Sequence, residues 1–97
     1  IVNINDITRC ESNGNYTKLF LSNNEEVLSS KTLGEFEEIL TSHNFFRIHR
    51  SHLINLEYIH KYIKTDGGYI LMKDKSELEI SRRKKTEFIT LLSNFKG

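Results

Sequence analysis

Apolar patterns in this 97-residue chain never run far before turn-forming residues break them. Ser12-Asn13-Gly14-Asn15, Asn23-Asn24, Thr65-Asp66-Gly67-Gly68 and Asp74-Lys75 each interrupt a strand-rich run. Alternation is the period of a half-buried strand, so short runs with turns between them point to hairpins of short strands. The first 30 residues read as a three-stranded meander. Ile1 to Thr8 opens the first strand, and Asp6 to Glu11 leads it into the first turn. Tyr16-Thr17-Lys18-Leu19-Phe20-Leu21 and Glu25 to Ser30 complete the meander. Phe45-Phe46-Arg47-Ile48-His49, Leu53-Ile54-Asn55, Tyr58 to Lys64, Tyr69 to Lys73 and Glu77 to Ile80 bring the total to about eight strands. In Tyr58 to Lys64 the alternation places Tyr58, His60, Tyr62 and Lys64 on one face, with Ile59, Lys61 and Ile63 on the other.

Two segments change to a helical period. Thr32-Leu33-Gly34-Glu35 fits a capping box, and Leu33, Phe36, Ile39 and Leu40 follow at helical spacing. Glu35, Glu37 and Glu38 fall in the early turns, where the helix dipole favours negative charge. The pattern predicts a helix over 33–42, with Ser42-His43-Asn44 marking its end. A closing helix is predicted from Arg83 to Asn94, with Ser81 as its N-cap and Phe88, Leu92 and Phe95 on one stripe. The expected fold class is mainly β with a minor α part, in one domain covering 1–97. No proline, repeat or linker divides the chain.

Composition excludes several classes. Cys10 is the only cysteine, so no disulfide framework is possible within the chain. A single thiol fits a reducing, cytosolic compartment, and its place late in the first strand predicts a small buried residue. No apolar run approaches the ~18 residues of a membrane helix, and no signal peptide is visible. The start at Ile1 is read as a fragment cut from a longer protein.

The net charge is only +1, but its distribution is uneven. Residues 23–46 sum to −4 and 65–79 to −2, whereas 47–64 sum to +3 and 80–97 to +4. If the two basic blocks meet in space, a nearly neutral chain acquires a basic face.

Enzyme chemistry finds little support. Ser51 stands between Arg50 and His52, but adjacency in sequence is not triad geometry. No glycine-rich phosphate loop occurs. His43, His49, His52 and His60 cluster within 18 residues, yet His49-x-x-His52 falls on a strand and turn, without the cysteine pairs of a structural metal site. No metal, cofactor or catalytic residue is expected. The cations are more informative. Arg47, His49, Arg50, Ser51 and His52 lie within six residues, and Ser81-Arg82-Arg83-Lys84-Lys85 places four cations at a helix start. The dipole disfavours cations there, so an anionic partner is the better explanation.

Phe45-Phe46-Arg47-Ile48-His49-Arg50-Ser51-His52-Leu53-Ile54-Asn55 resembles the central signature of the LytTR DNA-binding domain. Glu11-Ser12-Asn13-Gly14-Asn15-Tyr16-Thr17 resembles that family's early hairpin, Lys31-Thr32-Leu33 the start of its helix, and Ile80-Ser81-Arg82-Arg83 its closing motif. The resemblance implies an elongated module of short, mostly antiparallel sheets with two short helices. It further implies loops inserted into successive major grooves of bent promoter DNA, and the output half of a two-component response regulator. Partners implied are duplex promoter DNA, an upstream receiver domain and a second copy on a direct repeat, with no membrane. The chain would then be the C-terminal part of a bacterial regulator.

Carried over by position, Asn15, Arg50 and Arg82 are the expected base contacts. Arginine fits guanine O6/N7 and asparagine fits adenine N6/N7. Lys18, His49, Ser51, Arg83, Lys84 and Lys85 are expected on the phosphates, which fix register without reading sequence. Arg47 is open between a phosphate ligand and a structural ion-pair partner. Two other readings compete: a β protein-interaction module that docks through its aromatics and edge strands, and an RNA-binding module in which Tyr16 or Tyr58 stacks on bases.

Overall fold

A computed structural model describes residues 2–65 and 67–96; Ile1, Asp66 and Gly97, and with them one end of the expected first strand and part of the Thr65–Gly68 turn, lie outside the described residues. Eight strands and two α-helices follow in the order β1 (Ile7–Asn13), β2 (Tyr16–Leu21), β3 (Glu26–Ser29), α1 (Leu33–Leu40), β4 (Phe45–His49), β5 (His52–Asn55), β6 (Ile59–Ile63), β7 (Tyr69–Met72), β8 (Glu77–Glu79) and α2 (Lys85–Lys96). A five-stranded sheet has the order β3-β2-β1-β5-β4, and a second sheet the order β6-β7-β8. Every pairing is antiparallel. The extents are 35 × 24 × 24 Å, so the molecule is moderately elongated.

The β4–β5 end of the large sheet is buried on both faces. Phe45 and Leu53 join Ile7, Cys10, Leu19, Leu33 and Leu40 in a core under α1. Their neighbours Phe46 and Ile54 join Ile48, Leu56, Ile59, Ile70, Met72, Leu78, Ile80 and Phe88 in a core shared with the small sheet and α2. Successive strand residues point to opposite faces, so adjacent apolar pairs feed two cores.

The turns follow their residues. Gly14 takes φ +64° at the first position of the two-residue β1–β2 turn, the glycine pattern of a II′ hairpin. Thr32 and Glu35 form the expected capping box, with Thr32 N–H donating to Glu35 Oε2 at 2.7 Å and Glu35 N–H to Thr32 Oγ1 at 3.2 Å. The Thr32 N–H, and after it the Thr32 side chain, hold the Glu35 carboxyl below its usual pKa.

Several boundaries differ from expectation. Ile4–Asp6 is a 3-10 turn capped by Asn3, whose side chain accepts from Asn5 N–H, so β1 starts only at Ile7. The first helix stops at Leu40 and passes into a 3-10 turn at Thr41–His43, after which Asn44 takes φ +67°. Arg82–Lys84 is likewise a 3-10 turn, α2 starting at Lys85, and Ser81 makes no side-chain cap bond. Tyr58 belongs to a 3-10 turn rather than to β6. The strict alternation expected there fails because the β6–β7 register shifts between Ile59 and Lys61. Ile59 and Tyr62 consequently pack on the same core.

Candidate nucleic-acid interface

Pairing order brings distant loops together. β1 lies antiparallel to β5, with Glu11 opposite His52. This sets the β1–β2 turn, with Asn15, beside the β4–β5 turn, with Arg50 and Ser51. The Ser12 N–H donates to the Ser51 carbonyl at 3.0 Å and joins them. The Ser81 N–H donates to the Ile48 carbonyl at 2.8 Å, which docks the Arg82–Lys84 turn against the end of β4. The two basic blocks of the sequence therefore meet. A groove of about 280 Å³ is lined by Glu37, Arg47, His49, Arg50, Ser81, Arg83 and Lys84. A neighbouring groove of about 390 Å³ is lined by His49, Gly67, Gly68, Glu79, Ile80, Ser81, Arg82 and Lys85.

The cations divide into engaged and unengaged groups. Arg50, Arg82 and Arg83 are exposed, and among the described residues no carboxylate pairs with any of them. Asn15 is exposed at the tip of its turn. Lys84 is half-buried, its ammonium 5.4 Å above the Phe46 ring and 4.0 Å from Glu87. Lys85 donates to the Gly67 carbonyl and so ties α2 to the β6–β7 turn. Lys18 stands apart from this grouping. It lies within β2, three residues beyond Asn15, and pairs with Glu26 at 3.5 Å.

His49 is held on both ring nitrogens. Its Nδ1 accepts the Ser51 N–H at 3.1 Å, and its Nε2 is 3.4 Å from Glu79. The His52 ring lies 5.4 Å away. His52 is pushed below its ordinary pKa, chiefly by burial; Glu11 opposes the shift, while His49 and Arg9 add to it and Glu79 opposes it. The imidazole 3.9 Å from Glu11 is thus biased toward its neutral form. Arg47, open on sequence, is engaged within the protein. Nη1 meets Glu37 at 3.0 Å and Nη2 donates to the Arg50 carbonyl at 2.6 Å. Only the fold reveals this contact, since Glu37 is ten residues away on α1. Cys10, fully buried in the core under α1, has its thiol pushed up to about 12 by burial. Among the described residues no group of His, Cys, Asp or Glu is placed to hold a metal ion, and no helix is long and apolar enough to cross a membrane.

Fold and site together define a β-rich module that offers its cations on strand-connecting turns rather than on an inserted helix. The chain belongs to the LytTR family: the LytTr DNA-binding domain matches residues 1–93. It is 30% identical over 95 residues to two proteins of Paraburkholderia xenovorans (strain LB400), the heme-containing CO-sensing transcriptional regulators RcoM 2 and RcoM 1. The match takes in 95% of this chain and 35% of each relative, so the chain spans about a third of their length. Its fold is similar to the LytTr DNA-binding domain of a Bacillus cereus protein described as a methyl-accepting/DNA response regulator. The TM-score is 0.84 at 22% identity, over 94% of this chain and 84% of that one. The mostly antiparallel β architecture with two short helices is the fold of that neighbour. The family membership makes this a DNA-binding domain.

Proposed function

We propose that this domain recognises a specific duplex promoter sequence and regulates transcription as the C-terminal output part of a longer bacterial response regulator, acting in the cytoplasm. Arg50, Arg82 and Asn15 read base edges from loops inserted in successive major grooves. His49, Ser51, Arg83, Lys84, Lys85 and, at the margin, Lys18 meet phosphates and set the register. The DNA bends, which adds readout at positions the protein does not touch. An upstream receiver domain supplies the signal, and a second copy occupies an adjacent direct repeat.

One observation carries this reading. Arginines without carboxylate partners among the described residues stand on two turns that are 32 residues apart in sequence yet docked to the same strand, β4. A solvated surface needs no such convergence, whereas a polyanion rewards it through counterion release. The RcoM relatives are transcriptional regulators, which agrees with the role proposed for this chain. Among the described residues Tyr16, at 51%, is the one exposed aromatic at these turns, which favours duplex DNA over stacking on single-stranded RNA.

Selection from a randomised duplex library, followed by titration of the winner against salt, tests the proposal. The expected result is an enriched motif with a steep salt slope. Arg50→Ala and Arg82→Ala are each expected to lose about 1–3 kcal/mol on that duplex and less on random DNA. Equal losses on both DNAs would make them phosphate contacts. No enrichment and no salt dependence would favour the protein-interaction module.

A further inference from the structure

We infer that Arg47 is a positioning residue for Arg50, acting by pinning the peptide group between Arg50 and Ser51. This rests on the reading of Arg50 as a base contact. The carbonyl of that peptide accepts from Arg47 Nη2 at 2.6 Å, and its N–H donates to His49 Nδ1 at 3.1 Å. Both ends of one peptide plane are thus held by side chains of the strand leading into the turn. The plane's orientation sets the last backbone dihedral of Arg50 and hence the direction in which its side chain leaves the turn. The Ser51 carbonyl is fixed in addition by Ser12 N–H at 3.0 Å.

The other end of Arg47 is anchored. Its Nη1 meets Glu37 on α1 at 3.0 Å, and the position a Cβ would take on Gly34 is 3.9 Å from that same nitrogen. The guanidinium therefore lies across the early turns of α1, where the helix dipole disfavours a cation. The Glu37 carboxylate holds it there against the dipole, within reach of the Arg50 carbonyl. A planar fork with several fixed donors can serve a carboxylate and a carbonyl at once, which the compact ammonium of lysine does poorly.

The consequence is a residue that governs sequence discrimination without reading a base. Arg47→Met and Glu37→Gln test it in the 97-residue chain, using the selected duplex and a random duplex of equal length, with thermal unfolding to establish that each variant is folded. Arg50→Ala is expected to cut the ratio of selected to random affinity by on the order of tenfold or more. Arg47→Met is expected to cut it at least about threefold, a fraction of that loss. Glu37→Gln acts in the same direction more weakly, and Arg47→Lys rescues in part. In an Arg50→Ala background, Arg47→Met is expected to change the ratio little, because the side chain it positions is gone. The salt slope is expected to stay unchanged; a phosphate ligand would instead lower it by about 0.9. A slope lowered by that amount, with equal losses on both duplexes, overturns the inference, as does an unchanged ratio in both folded single variants. If Arg50→Ala itself leaves the ratio unchanged, it is the reading of Arg50 that fails, and the role of Arg47 falls with it.

Discussion

Phe88 is where α2 is fastened to the rest of the molecule, and its truncation gives the sharpest test of the packing. The side chain has no exposed surface. Its ring centroid is 6.1 Å from that of Phe46 on β4 and 5.7 Å from that of Tyr62 on β6, the latter edge-on at 68°. One ring therefore joins the large sheet, the small sheet and the helix whose start follows the Arg82–Lys84 turn. Phe88→Ala removes the ring and leaves a cavity walled by three elements, which cannot all move inward together. Such truncations cost about 3–5 kcal/mol, a large share of the ~5–15 kcal/mol that holds a domain folded. With a urea m-value of about 1 kcal/mol per molar for a small domain, the midpoint should fall by about 3 M or more. Phe88→Leu keeps most of the volume and should cost less than about 1.5 kcal/mol. Urea unfolding followed by far-ultraviolet circular dichroism measures both. A Phe88→Ala loss below about 1 kcal/mol would refute the idea that this ring fastens the helix, since ordinary core truncations exceed that.

Three further outcomes follow from single groups. His52 has a pKa below its ordinary 6.5 in the fold, so the unfolded chain binds more protons across the range between the two values; stability should be full above that range and fall as pH drops through it. Urea midpoints from pH 7.5 to 5.5 should decline less in His52→Gln than in the unsubstituted chain, and parallel declines would refute the assignment. Cys10, buried with its pKa at about 12, should resist an aromatic disulfide reagent at pH 8 until urea unfolds the chain; rapid labelling of the folded chain would contradict its burial. Gly68 takes φ +91° with the site of a Cβ 2.8 Å from the Tyr62 hydroxyl oxygen. Gly68→Ala should therefore cost at least about 1–2 kcal/mol for the backbone alone, and a neutral thermal midpoint would show that this turn rearranges freely.

Element order was legible because each element carries its own local signal. The capping box at Thr32, Gly14 in the first turn and the stripe of Phe88 are all readable within a few residues. What escaped was nonlocal or sterically subtle. Asn3 and Asn5 are turn formers, yet the run from Ile1 resembles a strand until the Asn3 side chain closes a 3-10 turn. The shift between Ile59 and Lys61 is a property of two paired strands and leaves no mark on the period of one. The charge blocks at 47–64 and 80–97 foretold a basic face only on condition that they met. The condition is satisfied by the hydrogen bond from the Ser81 N–H to the Ile48 carbonyl, which spacing does not encode. Arg47 is the clearest case. Its neighbours in sequence are cations and apolar residues, and the Glu37 that claims it sits on another element.

Strands β4 and β5 have apolar side chains on both faces, and this changes what keeps them in place. In a half-buried hairpin, slipping by one residue would drive every apolar side chain into water, so the pattern guards its own alignment. Phe45-Phe46 and Leu53-Ile54 offer no such guard, since a slip would merely exchange one greasy side for another. The guard must be polar, and Asn55 supplies it. It is 3% exposed, its Nδ2 donates to the Ile7 carbonyl at 3.0 Å, and its Oδ1 accepts the Glu57 N–H at 3.0 Å. A slipped β5 would part Nδ2 from the Ile7 carbonyl and leave a buried donor unpaired, at a cost of about 1–3 kcal/mol. The amide works as the notch on a key: it adds little grip of its own, yet only one alignment lets the lock close.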